Sequence, residues 1–485
     1  MSREVSDEKM STKSENFLRT ITGQWWGAHP GDLIRLYQTT ILSVIEYGCF
    51  CFRSAANTHL IKLERIQYRC LRFAFGCMQS THTMSLEVLA GILPLKHRFW
   101  NLSYRLLIRC TVMNPLVIEN FERLVDLQSQ SRFMTLYFDY MAQDINPSSY
   151  DSSNVALLDT SNNAIFFDTT MKQDISGIPD QLRPQEIPKI FSNKFKHVSY
   201  DKRFYTDGSN LDESTGFGVF HENFTASYKL DAPASVYVAE LAAIQYSLGI
   251  IETLPTDHYF IFTDSLSAIE ALRSMKPVKH TPYFLGKIRW FLSALTDKNY
   301  RVTLAWVPSH CSIPGNEKAD SFAKVGAIDG DIYVRPIAYD EFYSILRQRT
   351  LNSWQSSWNS DELGRWLHSI FPKVSTKAWF KGLDVGRDFI RVMSRLMSNH
   401  YTLNTHFFRI GIVDSNHCVC GDGYHDIEHV VWSCAEYFDV RSKLIDSLRA
   451  RGRQANVPVR DILGSGDLQY MSELYCFLKN ADIKL

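Results

Sequence analysis

The order of apolar patterns between residues 200 and 328 constrains the fold of this chain more than any other feature. KRFYTDGS, TGFGVF and FTASYKL are short β-rich runs with polar breaks between them, which predicts three consecutive antiparallel strands. After them come a helical run, SVYVAELAAIQYSLGII, the strand HYFIFTD, two further helical runs, the strand RVTLAWV and a last helix from about Asn316. Three strands followed by alternating helices and strands predict an α/β domain with a five-stranded mixed sheet.

Helical spacing prevails on both sides of this block. Runs such as LIRLYQTTILSVIEYG and LKHRFWNLSYRLLIRC repeat apolar residues three and four apart, so residues 1–126 and 339–485 are each predicted to form an all-helical segment. The periodicity fades over residues 127–199, which contain NPSSYDSSN and three closely spaced prolines. That composition predicts a linker with little packing of its own.

The overall composition is that of a globular chain. The 485 residues include 52 basic and 52 acidic side chains and 45% hydrophobic residues, and a chain of this length is expected to form two to four domains. No apolar run reaches the roughly 18 residues that a membrane span needs, so no membrane partner is expected. The polar first fifteen residues lack the apolar core of a secretory signal, which predicts an intracellular protein, in nucleus or cytoplasm. The oligomeric state stays open.

Four acidic residues occupy corresponding places on the predicted elements. Asp207 lies in the first strand, in YTDGS, and Asp264 ends the strand HYFIFTD, at the edge of the sheet where sites in such folds are usually built. Glu240 lies among alanines on the helix SVYVAELAAI, and Asp320 lies on the helix that follows the loop WVPSHCSIPGNEKAD. Each acid alone more often caps a turn or a helix. Together they predict one carboxylate cluster.

Four like charges at one place raise one another's pKa values unless cations lie between them. Carboxylate oxygens suit Mg²⁺ or Mn²⁺, which bind a few protein carboxylates together with water and phosphate oxygens. Two such ions about 4 Å apart activate water and stabilise the leaving oxygen of an in-line displacement. The cluster therefore predicts hydrolysis of a phosphodiester.

These residues and their order resemble the type 1 ribonuclease H family. The resemblance covers about residues 200–328 and rests on YTDGS, AELAA, FTDS and WVPSHCSIPGNEKAD taken together. It implies a three-layer ribonuclease H-like fold, a site in which Asp207, Glu240, Asp264 and Asp320 hold two divalent cations, and a role for His310 in proton transfer or product release. The implied substrate is the RNA strand of an RNA·DNA hybrid, held by its backbone and 2′-hydroxyls. Asn316 is expected either to cap the last helix or to orient His310 or the substrate.

A second group of candidate ligands lies near the C-terminus. HCVCGDGYHDIEHVVWSC brings three thiols and a His into one short stretch, and Cys418, Cys420, His429 and Cys434 can close a tetrahedral zinc site of the Cys₃His type. His425 is an alternative to His429. The competing interpretation is a set of scattered reduced cysteines.

The helical flanks resemble parts of jockey-like non-long-terminal-repeat retrotransposon proteins. LIRLYQTTILSVIEYGC and LERIQYRCLRFAFGC are similar to the thumb and connection of their reverse transcriptase, and RVMSRLMSNHYTLNTHFFRIGI with the Cys/His cluster is similar to their C-terminal tail. The chain has no Asp-Asp pair, so a reverse transcriptase fragment without its polymerase site is expected. A catalytically silent nucleic-acid-binding or interaction module is the alternative to an active ribonuclease, and a chain too incomplete to fold its flanks is a third.

Overall fold

A computed structural model describes residues 20–23, 26–53, 55–114, 116–126, 134, 150–151, 165–211, 214–232, 234–274, 283–335, 337–338, 341–483 and 485. Its α-helices are, in chain order, α1 Pro30–Leu36, α2 Ser43–Glu46, α3 Cys49–Phe52, α4 Asn57–Phe75, α5 Thr83–Ala90, α6 Leu95–Met113, α7 Leu116–Asp126, α8 Met171–Asp174, α9 Arg183–Lys194, α10 Val236–Ile251, α11 Leu266–Arg273, α12 Tyr283–Asp297, α13 Pro314–Asp329, α14 Phe342–Asn359, α15 Arg365–Ile370, α16 Arg387–Ser398, α17 Asn404–Arg409, α18 Ile427–Trp432, α19 Phe438–Ala450, α20 Val459–Gly464 and α21 Leu468–Asn480. A π-helical segment, Tyr37–Leu42, joins α1 to α2.

The strands are β1 Tyr150–Asp151, β2 Ile165–Asp168, β3 Arg203–Leu211, β4 Ser214–His221, β5 Phe224–Leu230, β6 His258–Thr263, β7 Arg301–Trp306, β8 Asp331–Tyr333 and β9 Ile337–Ala338. The chain forms two compact units, one from Met1–Ser103 with Arg349–Leu485 and one from Tyr104–Gln348. No helix among the residues described is long and apolar enough to cross a membrane.

The second unit is built on a mixed sheet in the order β2-β7-β6-β3-β4-β5-β8. The pairs β3–β4 and β4–β5 are antiparallel, as the order of the patterns predicts, and the others are parallel. The expected count of five strands was wrong, because β2 and β8 extend the sheet to seven. IFFD and DIY are too short to show a period of two.

Helices cover both faces of this sheet, which gives three layers. Successive side chains of a strand point to opposite faces, and Tyr205 contacts the ring of Phe191 on α9. On the same face, a Cβ on Gly218 would lie 2.4 Å from Ala319 O of α13. On the other face, a Cβ on Gly208 would lie 2.8 Å from Glu240 N of α10. The α/β architecture with helical flanks is therefore confirmed.

Part of the segment predicted as a linker has packing of its own. Residues 165–198 supply the edge strand β2 and the helices α8 and α9. Phe191 and Phe195 lie in one apolar cluster with Phe262, at ring-centroid distances of 5.0 and 4.9 Å from it. Residues 152–164 and most of 127–149 lie outside the described part of the chain.

The first unit is helical and draws its core from both ends of the chain. Leu71 and Phe75 of α4 belong to the same apolar cluster as Trp354 and Trp358 of α14 and Leu474 of α21. The segments predicted separately as 1–126 and 339–485 thus share one core in the residues described. The reason is physical, since each amphipathic helix has an apolar face that another helix must cover.

Candidate active site

Asp207 lies in the centre of the sheet, on β3. Asp207 is 7% exposed, and its Oδ1 accepts a hydrogen bond from the Gly208 N–H at 2.7 Å. Because Gly208 has no side chain, the backbone of α10 comes close to β3. This approach brings Glu240 to the neighbourhood of Asp207.

Ser265, which directly follows Asp264 and is the N-cap of α11, connects Glu240 to this part of the chain. The Ser265 hydroxyl donates to Glu240 Oε2 and accepts from the Ala268 N–H, so it also caps α11. Asp264 directly follows β6, and its carbonyl accepts from Trp306 Nε1 on β7 at 3.0 Å. The side chain of Asn316 lowers the pKa of the Asp264 carboxyl, against the effect of burial.

Asp320 reaches the same region because α13 lies directly on β4. A Cβ on Gly216 would lie 2.2 Å from Ala327 N, and one on Gly218 would lie 2.4 Å from Ala323 N. The partner of Gly218 in the sheet is Asp207. The Asp320 side chain is 18% exposed and forms an ion pair with Lys324 at 2.7 Å.

The electrostatics of the cluster show that these carboxylates act on one another. Burial, and after it the charges of Asp264, Asp320 and Glu240, raise the pKa of Asp207 to about 8. Burial likewise raises the pKa of Glu240, and the charge of Asp264 adds to this rise. Burial also raises the pKa of Asp264, and the charge of Asp320 adds to that rise. The oxygen-rich donor set and its mutual repulsion fit a divalent cation.

His310 is exposed and lies in the loop between β7 and α13. Its φ is 52° and that of Ser312 is 58°, both in the left-handed region, whereas Cys311 and Ile313 are buried. The Ser312 N–H donates to Glu317 Oε1 at 3.0 Å. The loop residue His310 places a ligand atom within 4.8 Å of one carboxylate oxygen of Glu317 and one of Asp320, and these two oxygens are equally close to each other.

Two residues of this region were missed in the sequence. Glu317 and Lys324 lie three residues before and four after Asp320 on α13, a spacing that places them near Asp320 on a helix. That spacing was the available signal. Asn316, which was expected near the site, is 3% exposed, and its Oδ1 has no hydrogen-bond partner.

The four candidate zinc ligands also meet. Cys418, Cys420, His429 and Cys434 place one ligand atom each within 4.8 Å of the others. The sulfurs of Cys418 and Cys434 are 3.6 Å apart, and Cys420 Sγ lies 3.2 Å from His429 Nε2. His425 lies outside this group: its ring accepts from the Asn404 N–H at 3.3 Å.

Residues 200–328 match the RNase H family model. This match and the three-layer sheet place an RNase H domain in the chain, as the motifs predict. The resemblance to retrotransposon proteins is confirmed as well, because the relatives found come from retrotransposable elements.

One relative is a retrovirus-related Pol polyprotein from type-1 retrotransposable element R1 of Bradysia coprophila, 27% identical over 24% of this chain and 11% of its own length. Another is a 115 kDa protein in element R1DM of Drosophila melanogaster, 30% identical over 22% of this chain and 10% of its own length. The match thus spans about a tenth of each of these relatives. Among solved structures, an N-terminal RNase H domain from Mycobacterium tuberculosis is 21% identical over 26% of this chain and 98% of its own, with a TM-score of 0.21.

Proposed function

We propose that residues 200–328 form a ribonuclease H that hydrolyses the RNA strand of an RNA·DNA hybrid with two divalent cations. The observation that carries the proposal is the position of Asp207, which is buried in the sheet opposite Gly218 and lies within reach of the charges of three further carboxylates. Repulsion among carboxylates serves no purpose in a protein that only binds nucleic acid. At a cation site the bound ion offsets this repulsion. The match to the RNase H family model supports nuclease chemistry in general.

Each side chain has a task at such a site. Asp207, Glu240, Asp264 and Asp320 would hold Mg²⁺ or Mn²⁺, which would supply an activated water and neutralise charge on the phosphate. Ser265 orients Glu240 through its hydroxyl, and the side chain of Asn316 favours the charged form of Asp264 by lowering its pKa. Exposed His310 can exchange a proton with solvent or with the product.

The hybrid is proposed as the substrate because of the motifs in residues 200–328. An A-form-like duplex is read through its backbone and 2′-hydroxyls across the minor groove.

We also propose that the chain works inside the cell, as part of a retrotransposon-derived reverse transcriptase. The alternative is a silent binding module, which would hold the hybrid without cutting it.

The metal requirement tests the site directly. Cleavage of a labelled hybrid is expected to rise with Mg²⁺ and to fall by more than about 100-fold in Asp264→Asn. Asp331→Asn removes an exposed carboxylate of β8 and serves as the control. Equal cleavage by wild type and Asp264→Asn would contradict the proposed site. A folded protein that binds the hybrid without cleaving it would leave the binding module.

We further propose that Cys418, Cys420, His429 and Cys434 hold a structural Zn²⁺. Their mutual distances suit a tetrahedral Cys₃His set, and a hydrogen bond from the Asp422 N–H lowers the pKa of Cys420 to about 7, which favours its thiolate. Ser433 Oγ lies 3.2 Å from His429 Nδ1 and can orient the ring.

The purified protein is expected to carry about one equivalent of zinc. Cys434→Ser should lose it, because the zinc–thiolate bond is lost, and should melt at a lower temperature. Exposed Cys476, which lies outside the cluster, provides the control Cys476→Ser. Metal analysis that finds no zinc in protein purified without chelators would refute this site.

A further inference from the structure

The loop that carries His310 has an unusual backbone. His310 and Ser312 both have positive φ values, of 52° and 58°. For residues other than glycine this conformation costs about 1–2 kcal/mol each, so the loop keeps it only if other contacts hold it there. The conformation matters because His310 lies within reach of the carboxylate cluster.

Two contacts fix the loop on the side that faces the core. Cys311 is 8% exposed and Ile313 is 1% exposed, and both belong to the apolar cluster that also contains Val307. Because Cys311 points inward, its neighbours His310 and Ser312 are left on the outside, and both are exposed. Apolar burial thus holds Cys311 and Ile313 on the inner side of the loop, and a polar contact holds the Ser312 N–H on its outer side.

The remaining contact comes from Glu317. Its Oε1 accepts the Ser312 N–H at 3.0 Å, and its own N–H donates to Ile313 O at 3.0 Å in the first turn of α13. The carboxylate therefore joins the left-handed residue next to Cys311 to the start of the helix that carries Asp320. A glutamate that accepts a backbone N–H before a helix is a form of helix capping. Here it also fixes the loop relative to the site.

We propose that Glu317 is a positioning residue: through its hydrogen bond to the Ser312 N–H it holds His310 at the carboxylate cluster. This inference rests on the proposed ribonuclease function. Glu317 acts by accepting a hydrogen bond, so a neutral acceptor in its place preserves the effect. It also acts through His310, so its removal changes little once His310 is gone.

The test compares Glu317→Gln, Glu317→Ala, His310→Ala and the double variant in hybrid cleavage. Glu317→Ala should lower kcat by about tenfold with KM unchanged, less than the roughly 100-fold loss expected for His310→Ala. Glu317→Gln should retain most of the activity, and the double variant should equal His310→Ala. Asp329→Ala changes an exposed acid at the far end of the same helix and is the control.

Amide hydrogen exchange reads the same contact without relying on activity. Glu317→Ala should speed exchange in the peptide containing residues 308–313, while Glu317→Gln and Asp329→Ala leave it unchanged. Unchanged protection in Glu317→Ala would overturn the inference even if the protein had no ribonuclease activity. Equal losses of activity in Glu317→Gln and Glu317→Ala, or additive losses in the double variant, would also overturn it, because they would point to a charge that acts independently of His310.

Discussion

At the scale of single residues, the carboxyl of Asp207 destabilises the metal-free fold, although the proposed function requires it. Its pKa of about 8 lies above the ordinary value of 3.8. Between these two pH values the carboxyl is protonated in the folded, metal-free protein and ionised in the unfolded chain. The contribution of this carboxyl to the free energy of unfolding is fully present below the pKa that the group has in the unfolded chain. It is lost as the pH rises through about 8. The metal-free site should therefore destabilise the fold most in alkaline solution.

Replacing this carboxyl should stabilise the fold while removing the activity. Asp207→Asn is expected to melt at a higher temperature than wild type in EDTA at about pH 9, with a smaller difference at about pH 5, because the amide cannot ionise. Thermal unfolding at both pH values measures the difference. A variant that is less stable than wild type at the higher pH would contradict the repulsion inferred at Asp207.

The residues of the site differ in how far the sequence could predict them. Asp207, Glu240, Asp264 and Asp320 were placed by motifs, and the structure brings their charges to bear on one another. Glu317 could not be assigned a partner, because the Ser312 N–H reaches it through a loop in which His310 and Ser312 both have a left-handed backbone, which is uncommon for residues other than glycine.

At the scale of elements, the contact between α13 and β4 positions Asp320. Gly218 lies opposite Asp207 in the sheet, and the backbone of α13 fills the space that a side chain would need. A methyl group there must displace the helix, because its nearest neighbours are the backbone atoms Ala319 O and Ala323 N, at 2.4 Å each. The same displacement would move Asp320 away from the other carboxylates.

Gly218→Ala is therefore expected to lower the free energy of unfolding by about 1–3 kcal/mol and to reduce cleavage. Gly249→Ala is the matched control, since, apart from the neighbouring backbone of α10 itself, no atom lies within 4 Å of its Cβ position. It should raise the free energy of unfolding by about 0.5–1 kcal/mol, because alanine favours the helix. Denaturant unfolding compares the two, and a Gly218→Ala protein as stable as wild type would contradict the close packing.

The elements that the sequence predicted were those with a clear period. The central strands β3 to β7 and their helices follow from that pattern, whereas α9 did not, because Pro184 and Pro188 suggested a linker. In the structure Pro184 lies in the first turn of α9, where proline is tolerated, and the helix continues through Pro188. The signal that went unused was Phe191 and Phe195, four residues apart and both buried.

At the scale of the whole molecule, the two ends of the chain build one helical unit around a common core. Periodicity could reveal the apolar faces of α4 and α14 but not that they would cover one another, because a pattern does not identify its partner. The sheet unit contains its own core and the complete carboxylate cluster. The proposed catalysis therefore belongs to the sheet unit.

Cleavage of an RNA·DNA hybrid labelled on its RNA strand tests this account most directly. Purified protein in Mg²⁺ is predicted to cut the RNA of the hybrid and to leave the same RNA intact when it is single-stranded, while Asp264→Asn cuts the hybrid more than about 100-fold more slowly. A folded wild-type protein that does not cleave the hybrid, or an Asp264→Asn variant that cleaves it as fast as wild type, would contradict the assignment.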